Sequence, residues 1–220
     1  MTAPRYIPLM RIREPFNAGS HLVGLLLAAT GTWFLLRVAD GRTQVLAFAV
    51  YGATLILLYA ASTVYHGLPL GEVGLRRLRT LDHIAIYFLI AGTYTPVAMV
   101  TLHDSGGLRL LAGAWAIAAI GIPFKIHWLD APVWVSTSSY LGMGYLALVA
   151  VVPLGQAVGA GGLAWLVAGG MAYTIGAVIY ACERPDPLPG RFGHHGLWHL
   201  LVLTGSACHF AFMALHVASG

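Results

Sequence analysis

Charged side chains are scarce in this chain: Lys, Arg, Asp and Glu together make up 9% of 220 residues, against 58% apolar types. That is too little charge to coat a soluble globule of this size, and a mean hydropathy of +0.77 points the same way, to an integral membrane protein. Cysteine is scarcer still. Cys182 and Cys208 lack CxxC spacing, which excludes a disulfide framework and a thiolate metal site and leaves them as small apolar side chains. Lysine occurs once, as Lys125, outside the last apolar run, so the chain cannot carry a retinal Schiff base there. Internal repeats and low-complexity tracts are absent.

What is abundant is uncharged apolar sequence. At about 20 residues per bilayer span, seven helices are expected, at roughly 17–37, 43–66, 80–102, 107–125, 134–154, 161–182 and 195–217. Turn-forming clusters separate them, among them Asp40-Gly41, Asp104-Ser105-Gly106-Gly107, Asp130-Ala131-Pro132 and the proline-rich stretch from Pro185 to Gly190. The expected class is all-α: a seven-transmembrane-helix bundle over 17–220 after an N-terminal segment, 1–16. Arg5, Arg11 and Arg13 before the first run resemble a signal peptide, but Ala18 to Leu36 is too long for its apolar core and reads as a retained span.

An odd number of spans puts the N-terminus and the connections 2–3, 4–5 and 6–7 on one side. That side holds Arg5, Arg11, Arg13, Arg76, Arg77, Arg79, Lys125, Arg184 and Arg191, nine basic residues, against Arg37, Arg42 and Arg109 on the other. The positive-inside rule then predicts a cytoplasmic N-terminus, an outside C-terminus and a multi-pass protein of the plasma (inner) membrane. The net charge of +4 describes this membrane surface and does not indicate nucleic acid.

Ionisable groups inside spans are costly, so they are candidates for function. Four clusters fall at the same cytoplasmic depth: Asn17 with His21, Ser62 with His66, Asp82 with His83, and His195 with His199. His66, His195 and His199 form the candidate metal set. His195 and His199 stand one helical turn apart, and three neutral imidazoles with an open fourth position are the ligand set of a catalytic zinc. Asp82 is placed to take a proton from water at that open position, and Ser62 to bond a substrate carbonyl or its developing oxyanion. Asn17, His21 and His83 are expected to support the site from the next layer. His194 points about 100° away from His195, and His209 lies about 15 Å deeper than His199, too far to share the metal. His103, His127 and His216 read as interfacial.

These residues resemble the progestin and adipoQ receptor family, in its bacterial hemolysin III-like branch. The resemblance rests on Glu14-Pro15-Phe16-Asn17 with His21, Ser62-x-x-x-His66, Asp82, Thr93-Tyr94-Thr95-Pro96 and His195-x-x-x-His199, in that order along nearly the whole chain. It implies seven helices with a cytoplasmic N-terminus and zinc at His66, His195 and His199, with Asp82 and Ser62 beside the metal. It also implies kinship with alkaline ceramidases. The leading expectation is a zinc-dependent hydrolase of lipid amide or ester bonds, with membrane lipids as substrates. The alternatives are a membrane regulator or a proton or metal transporter with a structural zinc, a cytolysin as the family name suggests, and haem between paired histidines.

Overall fold

The computed structural model describes residues 12–188 and 192–218, so Arg5, Arg11 and Arg191 of the charge count, and most of the expected segment 1–16, lie outside the described residues. Every regular element among the described residues is helical, apart from one isolated bridge between Leu188 and Phe192. The elements are α1 (Pro15–Val38), α2 (Gly41–Gly67), α3 (Glu72–Pro96) continued by a π-turn (Val97–Thr101), α4 (Gly107–His127) and α5 (Val133–Gly144). After a 3-10 stretch (Tyr145–Ala150) come α6 (Val151–Cys182) and α7 (His194–Phe212), which ends in a second π-turn (Met213–Val217).

Among the described residues, six helical segments are long and apolar enough to cross a membrane, where seven were expected, because the fifth and sixth expected spans join in one segment of 50 residues, Val133–Cys182. A straight helix of that length would measure about 75 Å, more than twice a hydrocarbon core of about 30 Å. The segment instead doubles back. Gly159, inside it, has φ 65° and ψ −176°, a conformation open to glycine and closed to residues with a Cβ. The hydroxyls of Tyr145 and Thr174, separated by 29 positions in sequence, meet at 2.8 Å.

Helix α3 starts at Glu72, well before the expected position 80. The charged stretch Glu72 to Arg79 was read as a surface connection, yet it contains no proline and a single glycine, Gly74, which a helix tolerates, with Glu72 at the favourable N-terminal end. Asp82 therefore sits inside α3 and does not open it. On the first turns of the same helix, Arg76 and Arg79 each reach Asp130, at 2.8 Å, across the exposed surface.

Two helices form the inside of the bundle, α2 and α3, whose buried faces carry Phe48, Tyr51, Leu55, Leu58, Tyr87 and Leu89. Pro96 cannot donate a backbone hydrogen bond, and α3 widens after it into the π-turn, closed by Leu102 N–H bonding to the Val97 carbonyl at 2.9 Å. One turn earlier, Tyr94 stitches the 3-10 stretch: its hydroxyl donates toward the Met143 and Gly144 carbonyls and accepts from the Ala147 N–H at 2.8 Å. Helix α1 lies against α2 and α7 through Gly24, where a Cβ would come within 2.7 Å of both Tyr59 and Leu203. That close approach brings the first turns of α1 to the end of α2 and the start of α7.

Candidate metal centre

The end of α2 supplies His66, and the first two turns of α7 supply His195 and His199. One ligand nitrogen from each lies within 4.8 Å of the others, and this is the only such group found among the described residues. The three rings meet edge to face, with centroids 4.8–4.9 Å apart. His66 and His199 are almost fully buried, at 1% and 2% exposure. The neighbouring His194 stays outside this group; its ring lies 6.3 Å from that of Tyr180, which His195 also meets, at 5.1 Å.

Two of the three rings, those of His66 and His199, are oriented through an outer nitrogen. His66 Nδ1 meets Glu14 Oε2 at 2.6 Å, while His66 Nε2 is buried with no partner at all. His199 Nδ1 faces the Asn17 carbonyl at 3.3 Å and Ser20 Oγ at 3.4 Å, which leaves its Nε2 for the centre. Burying imidazole nitrogens without a partner costs free energy, and a cation held between them removes that cost. A carboxylate on the far nitrogen of a ligand histidine fixes its tautomer and strengthens its donor atom.

Glu14 is the residue of this centre that helical periodicity does not reveal. It precedes α1 and is placed by backbone pairing: its N–H donates to the His66 carbonyl at 2.9 Å, and Arg13 N–H donates to the Gly67 carbonyl at 3.2 Å. Asn17 Nδ2 donates to Glu14 Oε2 at 2.8 Å, and Arg13 pairs with Oε1 at 2.8 Å. Burial pushes the Glu14 carboxyl up, but the hydrogen bonds it accepts from His66 and Asn17 and the charge of Arg13 outweigh it and hold the group below the usual carboxylate range. Glu14 is thus a carboxylate throughout the neutral range. Substituting Glu14→Gln should weaken metal binding about 10- to 100-fold, read by competition with a chromophoric chelator.

Beside the three histidines lies a cavity of about 390 Å³. Its polar end is lined by His21, Ser62, Asp82, His195 and His199, and its far end by apolar side chains such as Leu110, Leu154 and Leu163. Ser62 is buried against the Asp82 carboxylate. His83 lines the same cavity with its Nδ1 buried and unpartnered, while its carbonyl accepts from the Tyr140 hydroxyl at 3.3 Å. His209 also lines it, packed against Tyr173 and Gly169 and apart from the three-histidine group. The structure thus brings Asn17, His21, Ser62, His66, Asp82, His195 and His199 to one end of the bundle.

Fold and site together define a helical membrane protein with three histidines gathered at one end of the bundle, and comparison with known proteins gives its family. The model of the family described as Haemolysin-III related matches residues 10–210. Hemolysin-3 of Bacillus cereus is 39% identical over 207 residues, covering 93% of this chain and 91% of that protein. The Hemolysin-3 homolog of Bacillus subtilis (strain 168) is 36% identical over 200 residues, covering 90% and 91%. The human Monocyte to macrophage differentiation factor is 28% identical over 200 residues, 88% of this chain and 80% of that one. The chain belongs to the haemolysin-III related family, a branch of the progestin and adipoQ receptor family, and is a multi-pass membrane protein.

Proposed function

We propose that this protein is a zinc-dependent hydrolase of lipid amide or ester bonds, working at the cytoplasmic end of a seven-span bundle in the plasma membrane. The observation that carries the reading is the conjunction of three inward imidazoles, one of them with an orphaned buried Nε2, with a carboxylate and a hydroxyl on the same cavity wall. Seven spans follow if the segment that turns at Gly159 is counted as two, and the nine-to-three excess of basic residues orients them. All-nitrogen ligation without thiolate suits zinc.

His66, His195 and His199 would hold the ion, which when bound supplies Lewis acidity and makes water a nucleophile near neutral pH. Asp82 takes the proton of the attacking water and returns it to the departing amine or alcohol as the carbon–nitrogen or carbon–oxygen bond breaks. Ser62 steadies that carboxylate and, once Asp82 is protonated, is free to donate to the charged carbonyl oxygen. Glu14 and Asn17 hold His66 and His199 in line. The apolar length of the cavity receives a hydrocarbon chain. Its wall includes Val167 and Met171, each 57% exposed on the outer face of α6, so a lipid has a sideways route into it.

The test is release of fatty acid from defined amide and ester lipids by the purified protein in mixed micelles. The expected result is release of acid from at least one class, abolished by a strong chelator and restored by zinc. Zinc-replete protein inert toward both classes would move the reading to a membrane regulator with a structural metal.

A further inference from the structure

His21 has the environment of a ligand-binding group and lacks the geometry of a metal ligand. It lies in the second turn of α1, is 3% exposed, and lines the cavity beside Ser62, Asp82 and His195. Neither of its ring nitrogens has a hydrogen-bond partner, although one of them looks toward the His199 main chain. Two unsatisfied nitrogens on one buried side chain are expensive to keep unless something binds there.

The ring is fixed by its neighbours. It stacks on His199 with centroids 3.7 Å apart and planes 13° from parallel, and Tyr59 meets it edge-on at 5.1 Å. This stack decides what His21 can reach. Two imidazoles stacked nearly face to face at 3.7 Å do not aim ring nitrogens at one shared point, so His21 would not join His66, His195 and His199 in holding a metal, and it is not part of their group. The nitrogens of His21 are left for the cavity that it lines together with Ser62, Asp82 and His195, where an exogenous molecule would come within their reach.

We infer that His21 is a binding residue for the exogenous occupant of the metal centre, hydrogen-bonding a water or an oxyanion (carboxylate, hydroxamate or the acyl oxygen of a substrate) at the open position. This inference rests on the metal reading above. It requires no change in His21 protonation, because a neutral imidazole both donates and accepts. It assigns α1 a direct part in ligand binding, distinct from the support that Asn17 and Glu14 give to the three histidines.

The experiment uses the full chain in detergent, loaded with cobalt(II), with acetohydroxamate as the probe and visible absorption of the cobalt as the readout. His21→Phe keeps an aromatic ring on His199 and removes both nitrogens; His21→Leu is a second apolar variant should the first not fold. The expected result is about one cobalt per chain in every variant and a loss of hydroxamate affinity of at least about tenfold in the apolar variants, the scale of one buried hydrogen bond. His21→Gln, which keeps a donor and an acceptor, should recover most of it. Unchanged hydroxamate affinity in the apolar variants would overturn the inference, and so would loss of cobalt from folded His21→Phe, which would make His21 a metal ligand. A wild-type chain that takes up no cobalt would sink the metal reading itself before hydroxamate is added.

Discussion

Replacing His199 by Ala is expected to strip the protein of its metal, from about one ion per chain to almost none after dialysis, while His194→Ala, five residues earlier on the same helix, retains it. His199 joins the centre from the second turn of α7, and its outer nitrogen is occupied by Asn17 and Ser20, so the inner nitrogen has no other task. Two imidazoles would remain, from different helices, with two positions to be filled by water. The loss of affinity should exceed the roughly 100-fold upper range for removing an outer supporting contact, because a bond to the ion itself is lost. His194 takes no part in the group. Elemental analysis of both variants beside wild type reads the difference directly, and comparable expression of the two shows that the loss is not one of folding.

The second large effect is expected from Asp82→Asn, which should leave metal content intact and reduce lipid hydrolysis about 10²- to 10⁴-fold, the usual worth of a positioned general base. The amide is the same size and still meets Ser62, but it cannot accept the proton of the attacking water. Asp82 lies outside the metal-holding group. Among the described residues Asp82 makes no ion pair that the substitution would break, and Arg76 and Arg79 of α3 both reach Asp130. Undiminished hydrolysis would remove Asp82 from the chemistry, and loss of metal would make it a ligand. The measurement is initial rate with metal content determined on the same preparation.

Much of this centre was legible in the sequence because helices impose a simple rule. Residues four apart share a face, which joins His195 to His199 and Ser62 to His66, and alternating span direction puts the end of α2 and the starts of α1 and α7 at one depth. The membrane class followed from composition in the same direct way. What remained illegible depends on paths that periodicity does not describe. Glu14 reaches His66 because the chain before α1 pairs with the last residues of α2, a contact set by backbone hydrogen bonds between positions 52 apart in sequence. The early start of α3 was hidden by its charges, which read as loop but belong to a helix at a membrane surface. The pairing of Arg76 and Arg79 with Asp130 joins the start of α3 to the connection between α4 and α5. His21 looked like one more supporting histidine, and only the stacking distance and its two idle nitrogens show that it bonds to none of the three.

The claim beneath all of this is that His66, His195 and His199 hold one metal ion, and X-ray absorption at the zinc edge on purified wild-type protein tests it most directly. The predicted result is about one zinc per chain in a first shell of three imidazole nitrogens and one oxygen, at about 2.0–2.1 Å. Protein purified without chelators that contains no stoichiometric metal, or a first shell with sulfur or fewer than three imidazoles, would contradict it.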